Sequence, residues 1–128
     1  MWRDALELAH SLYRESSRGS FGRDFALRDQ VRRAAISVVS NIAEGFESRT
    51  DRLFSDYLGR AKASAGELRA QLHLACREGY LDDEAGCRLV SRAASISRQL
   101  AGLMKYLERG SADQGRERTE SGRERRFP

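Results

Sequence analysis

Side chains with catalytic or metal-binding chemistry are scarce in this sequence. It contains two histidines, His10 and His73, and two cysteines, Cys76 and Cys87. Glu7 and His10 have the Glu-x-x-His spacing of half a di-iron site in a helical bundle. A complete site needs a second such motif and two more inward glutamates, and the residue three places before His73 is an alanine. We therefore interpret Glu7 and His10 as a surface pair.

A second candidate cluster consists of His73, Cys76 and Cys87, which could offer three ligands to zinc. Their spacing matches no zinc-finger or zinc-ribbon pattern, and packing near the core explains the two thiols without a metal. The sequence also has no glycine-rich phosphate loop, no Gly-x-Ser-x-Gly elbow and no His-Glu-x-x-His pair. We expect no enzyme, no metal site and no cofactor.

Positive charge is the remaining chemical feature. The 128 residues include 23 lysines and arginines against 19 acidic residues, a net charge of +4. Nearly all the cations are arginines, whose planar guanidinium binds phosphate in a bidentate way, although a GC-rich genome gives the same enrichment. The composition favours a polyanionic partner without requiring one.

Four amphipathic helices must position these groups. Apolar residues recur at alternating intervals of four and three along the third and fourth helices, as in Phe54, Leu58, Ala61, Ala65, Leu68, Leu72 and Ala75. Similar spacings upstream predict helices at about 2–16, 27–47, 51–78 and 83–108, with a loop from Ser16 to Gly22. The predicted fold is all-α, a left-handed antiparallel up-down-up-down four-helix bundle.

The ends of this domain follow from composition. Residues 1–109 form the predicted bundle, and residues 110–128 have almost no apolar side chains, which predicts a disordered polar tail. No segment has the roughly 18 consecutive apolar residues of a membrane span, and no signal sequence is evident, so we expect a cytoplasmic protein without membrane contact.

The second helix has an unusual polar face. A solvated face usually carries long charged side chains, whereas short serines and asparagines let another surface approach closely. The pattern leaves a contacted seam and an ordinary exposed face both open. At 100° per residue one sector contains Gln30, Arg33, Ser37, Ser40, Asn41 and Glu44.

The same helix carries a family resemblance. The run from Gln30 to Gly45 resembles the signature of the four-helix bundle proteins encoded in intervening sequences of bacterial 23S rRNA genes. It departs from that family at Val39, near which a proline is frequent. The resemblance opens with Trp2-x-x-Ala5 and extends through Phe54-x-x-Tyr57-Leu58-x-x-Ala61, Ser64-x-x-Glu67-Leu68-x-x-Gln71-Leu72 and Gly79-Tyr80-Leu81.

This resemblance implies a ring of subunits, with a cyclic homopentamer among relatives. The family is in turn similar to the accessory variability determinant of diversity-generating retroelements, a basic bundle that works with reverse transcriptase and nucleic acid. A subunit can bury its apolar faces inside its own bundle and its polar face against a neighbouring subunit. The candidate oligomer-interface residues are Arg33, Ser37, Ser40, Asn41, Glu44, Glu67 and Gln71.

These observations predict a non-catalytic oligomeric scaffold that binds structured RNA or DNA through phosphates. The alternative for each contact is a solvated charge or an intersubunit ion pair. A rival function is a protein-interaction module that docks a reverse transcriptase or another partner without touching nucleic acid, for which an exposed apolar patch would be the signature. The candidate nucleic-acid contacts are Arg28, Arg32, Arg33, Arg49, Arg52 and Arg60.

Overall fold

The computed structural model describes the backbone of residues 1–117 and the side chains of residues 1–110. Regular structure in this range is entirely α-helical, which confirms the predicted class. The five helices form a bundle in which α1 packs against α3 and α5, α3 against α4, and α4 against α5. The helices are α1 (Trp2–Glu15), α2 (Gly19–Arg23), α3 (Phe25–Glu47), α4 (Asp51–Arg77) and α5 (Asp83–Glu117).

Local hydrogen bonds set the helix boundaries. Asp24 and Thr50 cap α3 and α4, because their side-chain oxygens accept from backbone N–H groups three residues later, at 3.1 Å in each case. After α4, Gly79 adopts a φ of +77°, and the N–H of Tyr80 donates to the Ala75 carbonyl at 2.9 Å. This left-handed glycine cap turns the chain sharply towards α5.

The predicted apolar seam of α4 is the centre of the core. Its seven residues, from Phe54 to Ala75, are all buried, and Leu58, Leu68 and Leu72 have no exposed surface. Burying each such side chain contributes about 1.5–3 kcal/mol, so the seam is a principal source of bundle stability. The other helices contribute buried residues at the predicted spacing, including Ala5, Ala9, Leu12, Val31, Ala35, Val38, Ile42, Leu89, Ala93, Ile96 and Leu100.

The predicted loop from Ser16 to Gly22 is wrong in part, because it contains most of the short helix α2. This helix places Phe21 in the core at 1% exposure, where its ring stacks on Tyr80 with a centroid distance of 5.5 Å. A single buried aromatic residue forms no periodic pattern, so hydrophobic periodicity could not predict this helix. The segment is therefore anchored by a contact with a residue distant in sequence.

The predicted end of the last helix also needs correction. Helix α5 continues to Glu117, so residues 110–117 are helical and not part of a disordered tail. Once a helix is nucleated, each further residue adds a backbone hydrogen bond without needing an apolar contact. The rest of the predicted tail, residues 118–128, lies outside the described residues. Within residues 1–117, no helix combines the length and apolarity needed to cross a membrane.

Candidate functional site

The polar face of α3 meets α4 in a small hydrogen-bonded network. Ser37 Oγ and Ser64 Oγ lie 2.7 Å apart, and Asn41 Nδ2 donates to Ser37 Oγ at 3.0 Å and to the Ser37 carbonyl at 2.8 Å. All three side chains are half-buried. We refer to Ser37, Asn41 and Ser64 as the polar seam. Ser64 was not among the predicted interface residues, although it belongs to the motif that resembles the family.

A second polar pair lies further along α4. Gln71 Nε2 donates to Glu67 Oε1 at 3.3 Å, while Gln71 Oε1 is buried without a hydrogen-bond partner among the described residues. An unsatisfied buried acceptor costs about 1–3 kcal/mol. This oxygen is therefore an unsatisfied acceptor inside the fold and not one that is open at the surface.

The remaining predicted interface residues are exposed. Arg33, Ser40 and Glu44 lie on α3, and the structure shows no hydrogen bond or ion pair of their side chains within residues 1–110. The structure therefore brings Ser37 together with Asn41, and Glu67 with Gln71, and leaves the other three facing solvent on the single chain.

Two of the six candidate nucleic-acid arginines are held within the fold. Arg32 Nε donates to the buried Ser16 Oγ at 2.9 Å and its Nη2 to Ser17 Oγ at 2.9 Å, while its guanidinium lies 4.6 Å from the centroid of the Tyr13 ring. Arg32 thereby joins the end of α1 to α3. Its partners Ser16 and Ser17 are 16 and 15 positions away in the sequence, and the sequence pattern did not reveal this contact.

Arg28 is engaged in a similar way. Its Nε donates to Asp29 Oδ1 at 3.0 Å, its Nη1 donates to the Gly22 carbonyl at 3.3 Å, and the guanidinium covers the Phe25 ring at 4.7 Å. These contacts position the start of α3 beside α2. They also leave Arg28 less available for phosphate than an extended arginine.

The other four candidates, Arg33, Arg49, Arg52 and Arg60, are exposed. Arg60 lies over the Tyr57 ring at 5.1 Å, a contact that keeps a guanidinium extended along the surface. These four side chains have no ion pair within the part of the chain whose side chains are described. They therefore supply positive charge at the surface of α3, α4 and the connection between them.

The candidate metal ligands have ordinary surroundings. Cys76 and Cys87 are free thiols, and Cys76 packs against Gly86. Burial raises the pKa of the Cys76 thiol, with smaller contributions from nearby negative charges, so it stays protonated and weakly nucleophilic at neutral pH. Among the side chains of residues 1–110, no group of three or more histidine, cysteine, aspartate or glutamate residues is arranged to hold a metal ion.

A protein family shares this sequence pattern and this fold. The sequence profile of the 23S rRNA-intervening sequence proteins matches residues 1–102. The chain belongs to this family. The match covers α1 to α4 and most of the apolar seam of α5, and confirms the family resemblance found in the sequence. A comparison with curated proteins finds no match.

A solved structure shows the same fold. It is a protein of unknown function from the S23 ribosomal protein family of Bacteroides thetaiotaomicron VPI-5482, to which this chain is similar with a TM-score of 0.75 and 22% sequence identity. The similarity covers 81% of this chain and 97% of that chain. At this identity the likeness concerns the fold alone.

Proposed function

We propose that this chain is a non-catalytic cytoplasmic scaffold that assembles into a ring and binds structured RNA or DNA through arginine–phosphate contacts. The observation that carries the proposal is the set of four exposed arginines, Arg33, Arg49, Arg52 and Arg60, without ion-pair partners in the described part of the chain. Such contacts neutralise phosphates and release counterions, so they give affinity that depends on salt and little on sequence.

The scaffold in this proposal is an up-down-up-down antiparallel four-helix bundle of α1, α3, α4 and α5 with a left-handed twist. Contacts between α3 and α4 support opposite directions, because Ser37 meets Ser64 while the later Gly45 meets the earlier Phe54. The same inversion supports it for α4 and α5, where Gly59 lies against Met104 and Cys76 against Gly86. Short connections between the helices favour this arrangement.

The polar seam supports self-association. A face with short hydroxyl and amide side chains lets a second subunit approach closely. An interface between different faces of identical subunits closes into a ring when the rotation allows it. On the basis of the family resemblance we propose that the ring is a homopentamer. From the same resemblance we also propose a relationship to the accessory variability determinant, and a reverse transcriptase as a partner.

A protein-interaction module is the second candidate function. Exposed apolar side chains support it, since Phe25, Ile36, Leu53 and Leu74 are between 46% and 63% exposed. These residues would dock a reverse transcriptase or another protein without direct contact to nucleic acid. Phe25 is the least suited to this, because the Arg28 guanidinium covers its ring.

Two measurements on the full chain test the proposal. Light scattering should give a mass of several subunits, five for a pentamer.

Fluorescence anisotropy with mixed-sequence duplex RNA and DNA should show binding at 50 mM salt. The affinity should weaken about tenfold or more by 200 mM salt, since each phosphate contact adds about 0.9 to the salt slope. Arg52→Glu with Arg60→Glu should reduce binding, and Arg3→Glu with Arg14→Glu on α1 is the charge-matched control. A flat titration at low salt would reject nucleic-acid binding.

A further inference from the structure

A groove between α4 and α5 concentrates positive charge on a face separate from the polar seam. Its volume is about 270 Å³, and its walls include Lys62 and Arg69 from α4 and Arg98 from α5. No carboxylate lines it. We call it the α4–α5 basic groove, and its lining residues are Lys62, Gly66, Arg69, Ala94, Ser97, Arg98 and Ala101.

The three cations of the groove are not neutralised by the fold. Lys62, Arg69 and Arg98 are exposed, and none has an ion pair or side-chain hydrogen bond within residues 1–110. By contrast, Arg18, Arg28 and Arg88 each pair with a carboxylate. Like charges that share a groove without counter-charges raise the local potential, which attracts an anion with several charges.

The floor of the groove is shaped for close approach. Gly66 has no heavy atom within 4 Å of the position that a Cβ would occupy, and the other small residues of the floor are two alanines and Ser97. Lys62 and Arg69 are seven residues apart on one helix, which places them about 10 Å apart along its axis. That separation lets the two cations contact different phosphates of one strand.

Carboxylates line the cavity next to one end of the groove. A neighbouring cavity between the start of α4 and the later part of α5 is lined by Asp51, Asp56 and Glu108 together with Arg52. These carboxylates lower the positive potential around Arg52, whereas the lining of the groove from Lys62 to Arg69 contains no carboxylate. The same helix pair thus offers one section of mixed charge and one section that is entirely basic.

We infer that the α4–α5 basic groove binds the phosphodiester backbone of a nucleic acid, as a second contact surface besides the arginines of α3 and the start of α4. This inference rests on the proposed function and deepens it. Lys62, Arg69 and Arg98 contact phosphates of one strand, and the small floor lets the strand lie close to the helices. Contact through phosphates makes the groove tolerant of sequence.

The test compares variants of the full chain by anisotropy with duplex RNA and, in parallel, duplex DNA. Arg69→Glu with Arg98→Glu should weaken binding at least about tenfold at 50 mM salt and lower the salt slope by about 2, one for each lost phosphate contact. The charge-matched control, Arg3→Glu with Arg14→Glu, should change affinity less than about threefold. Gly66→Leu fills the floor without changing charge and should also weaken binding, whereas Gly66→Ala should not.

The outcomes separate this inference from the proposed function. If the groove variants bind as the α1 control does while Arg52→Glu with Arg60→Glu loses binding, the groove is not a contact and the proposed function stands. If the unmodified chain binds neither duplex, both fail. If Arg69→Glu with Arg98→Glu keeps its nucleic-acid affinity but lowers the mass in light scattering, the groove is a subunit contact and the inference is wrong. Circular dichroism checks that each variant is folded.

Discussion

Tyr80 Oη donates a hydrogen bond to Asp24 Oδ2 at 2.9 Å and so joins the connection between α4 and α5 to the start of α3. The other carboxylate oxygen of Asp24 accepts from the Leu27 N–H and caps α3. One side chain therefore both begins a helix and holds a turn 56 positions away. The Phe21 ring stacks on the Tyr80 ring, so α2 is held at the same point.

The hydrogen bond between Tyr80 and Asp24 shifts the pKa values of both side chains. The backbone hydrogen bond from Leu27 and then the one from Tyr80 lower the pKa of Asp24 below its ordinary 3.8. The hydrogen bond to Asp24 and burial raise the pKa of Tyr80 above 10.0. Asp24 therefore adds stability above pH 3.8 that is lost as the pH falls through its folded pKa. Tyr80 adds stability below pH 10.0 that is lost as the pH rises through its folded pKa.

Tyr80→Phe should lower the melting temperature at neutral pH, because Asp24 loses a donor. The difference from the unmodified chain should shrink when the pH falls through the depressed pKa of Asp24. Thermal unfolding followed by circular dichroism from pH 2.5 to 9 measures it. Tyr57→Phe is the control, since it removes the hydroxyl of another half-buried tyrosine. An equal, pH-independent effect of both substitutions would contradict the importance of the Asp24 contact.

Arg32→Ala should destabilise the fold by about 1–2 kcal/mol, because the buried hydroxyl of Ser16 loses its donor and α1 loses its tie to α3. The neighbouring Arg33 is exposed, so Arg33→Ala should change stability by less than about 0.5 kcal/mol. Urea unfolding measures both. Equal stabilities of the two variants would show that the Arg32 contacts contribute nothing in solution.

Two glycine-to-alanine substitutions should have opposite signs. Gly66→Ala should stabilise by about 0.5–1 kcal/mol, because the new methyl group meets open space and alanine favours the helix. Gly45→Ala should destabilise by about 1–3 kcal/mol, because its methyl group would lie 3.0 Å from the Phe54 ring and 3.3 Å from Tyr57 Cβ. The midpoints of denaturant unfolding of the two variants measure both effects. A stabilised Gly45→Ala variant would contradict the prediction and mean that α3 and α4 separate easily.

Ser37→Glu with Asn41→Glu should dissociate the oligomer if the polar seam is a subunit interface, because two carboxylates would be desolvated against a neighbour. Light scattering should then give the monomer mass while circular dichroism keeps its helical signal. Ser91→Glu, on an exposed position of α5, adds charge away from the seam and should leave the mass unchanged. A folded double variant of unchanged mass would place the interface elsewhere.

Periodic features of the fold were predictable from the sequence. The apolar seams of α3, α4 and α5 repeat at helical intervals, so their helices and buried faces follow from position alone, and the family pattern lies on the same residues. Features without a period were not predictable. Phe21 is one aromatic residue in a segment rich in serine and glycine, and the helical extension to Glu117 is carried by backbone hydrogen bonds that leave no apolar signature.

The distribution of charge shows the same division. The sequence by itself determined an arginine-rich chain with four amphipathic helices and a polar face on α3, since composition and helical spacing are properties of neighbours along the chain. Only the tertiary structure decided which cations are free. Arg32 is held by Ser16 and Ser17, whereas Lys62, Arg69 and Arg98 share a groove without a carboxylate. The physical reason is that side-chain pairing depends on distances between helices, which sequence periodicity does not specify.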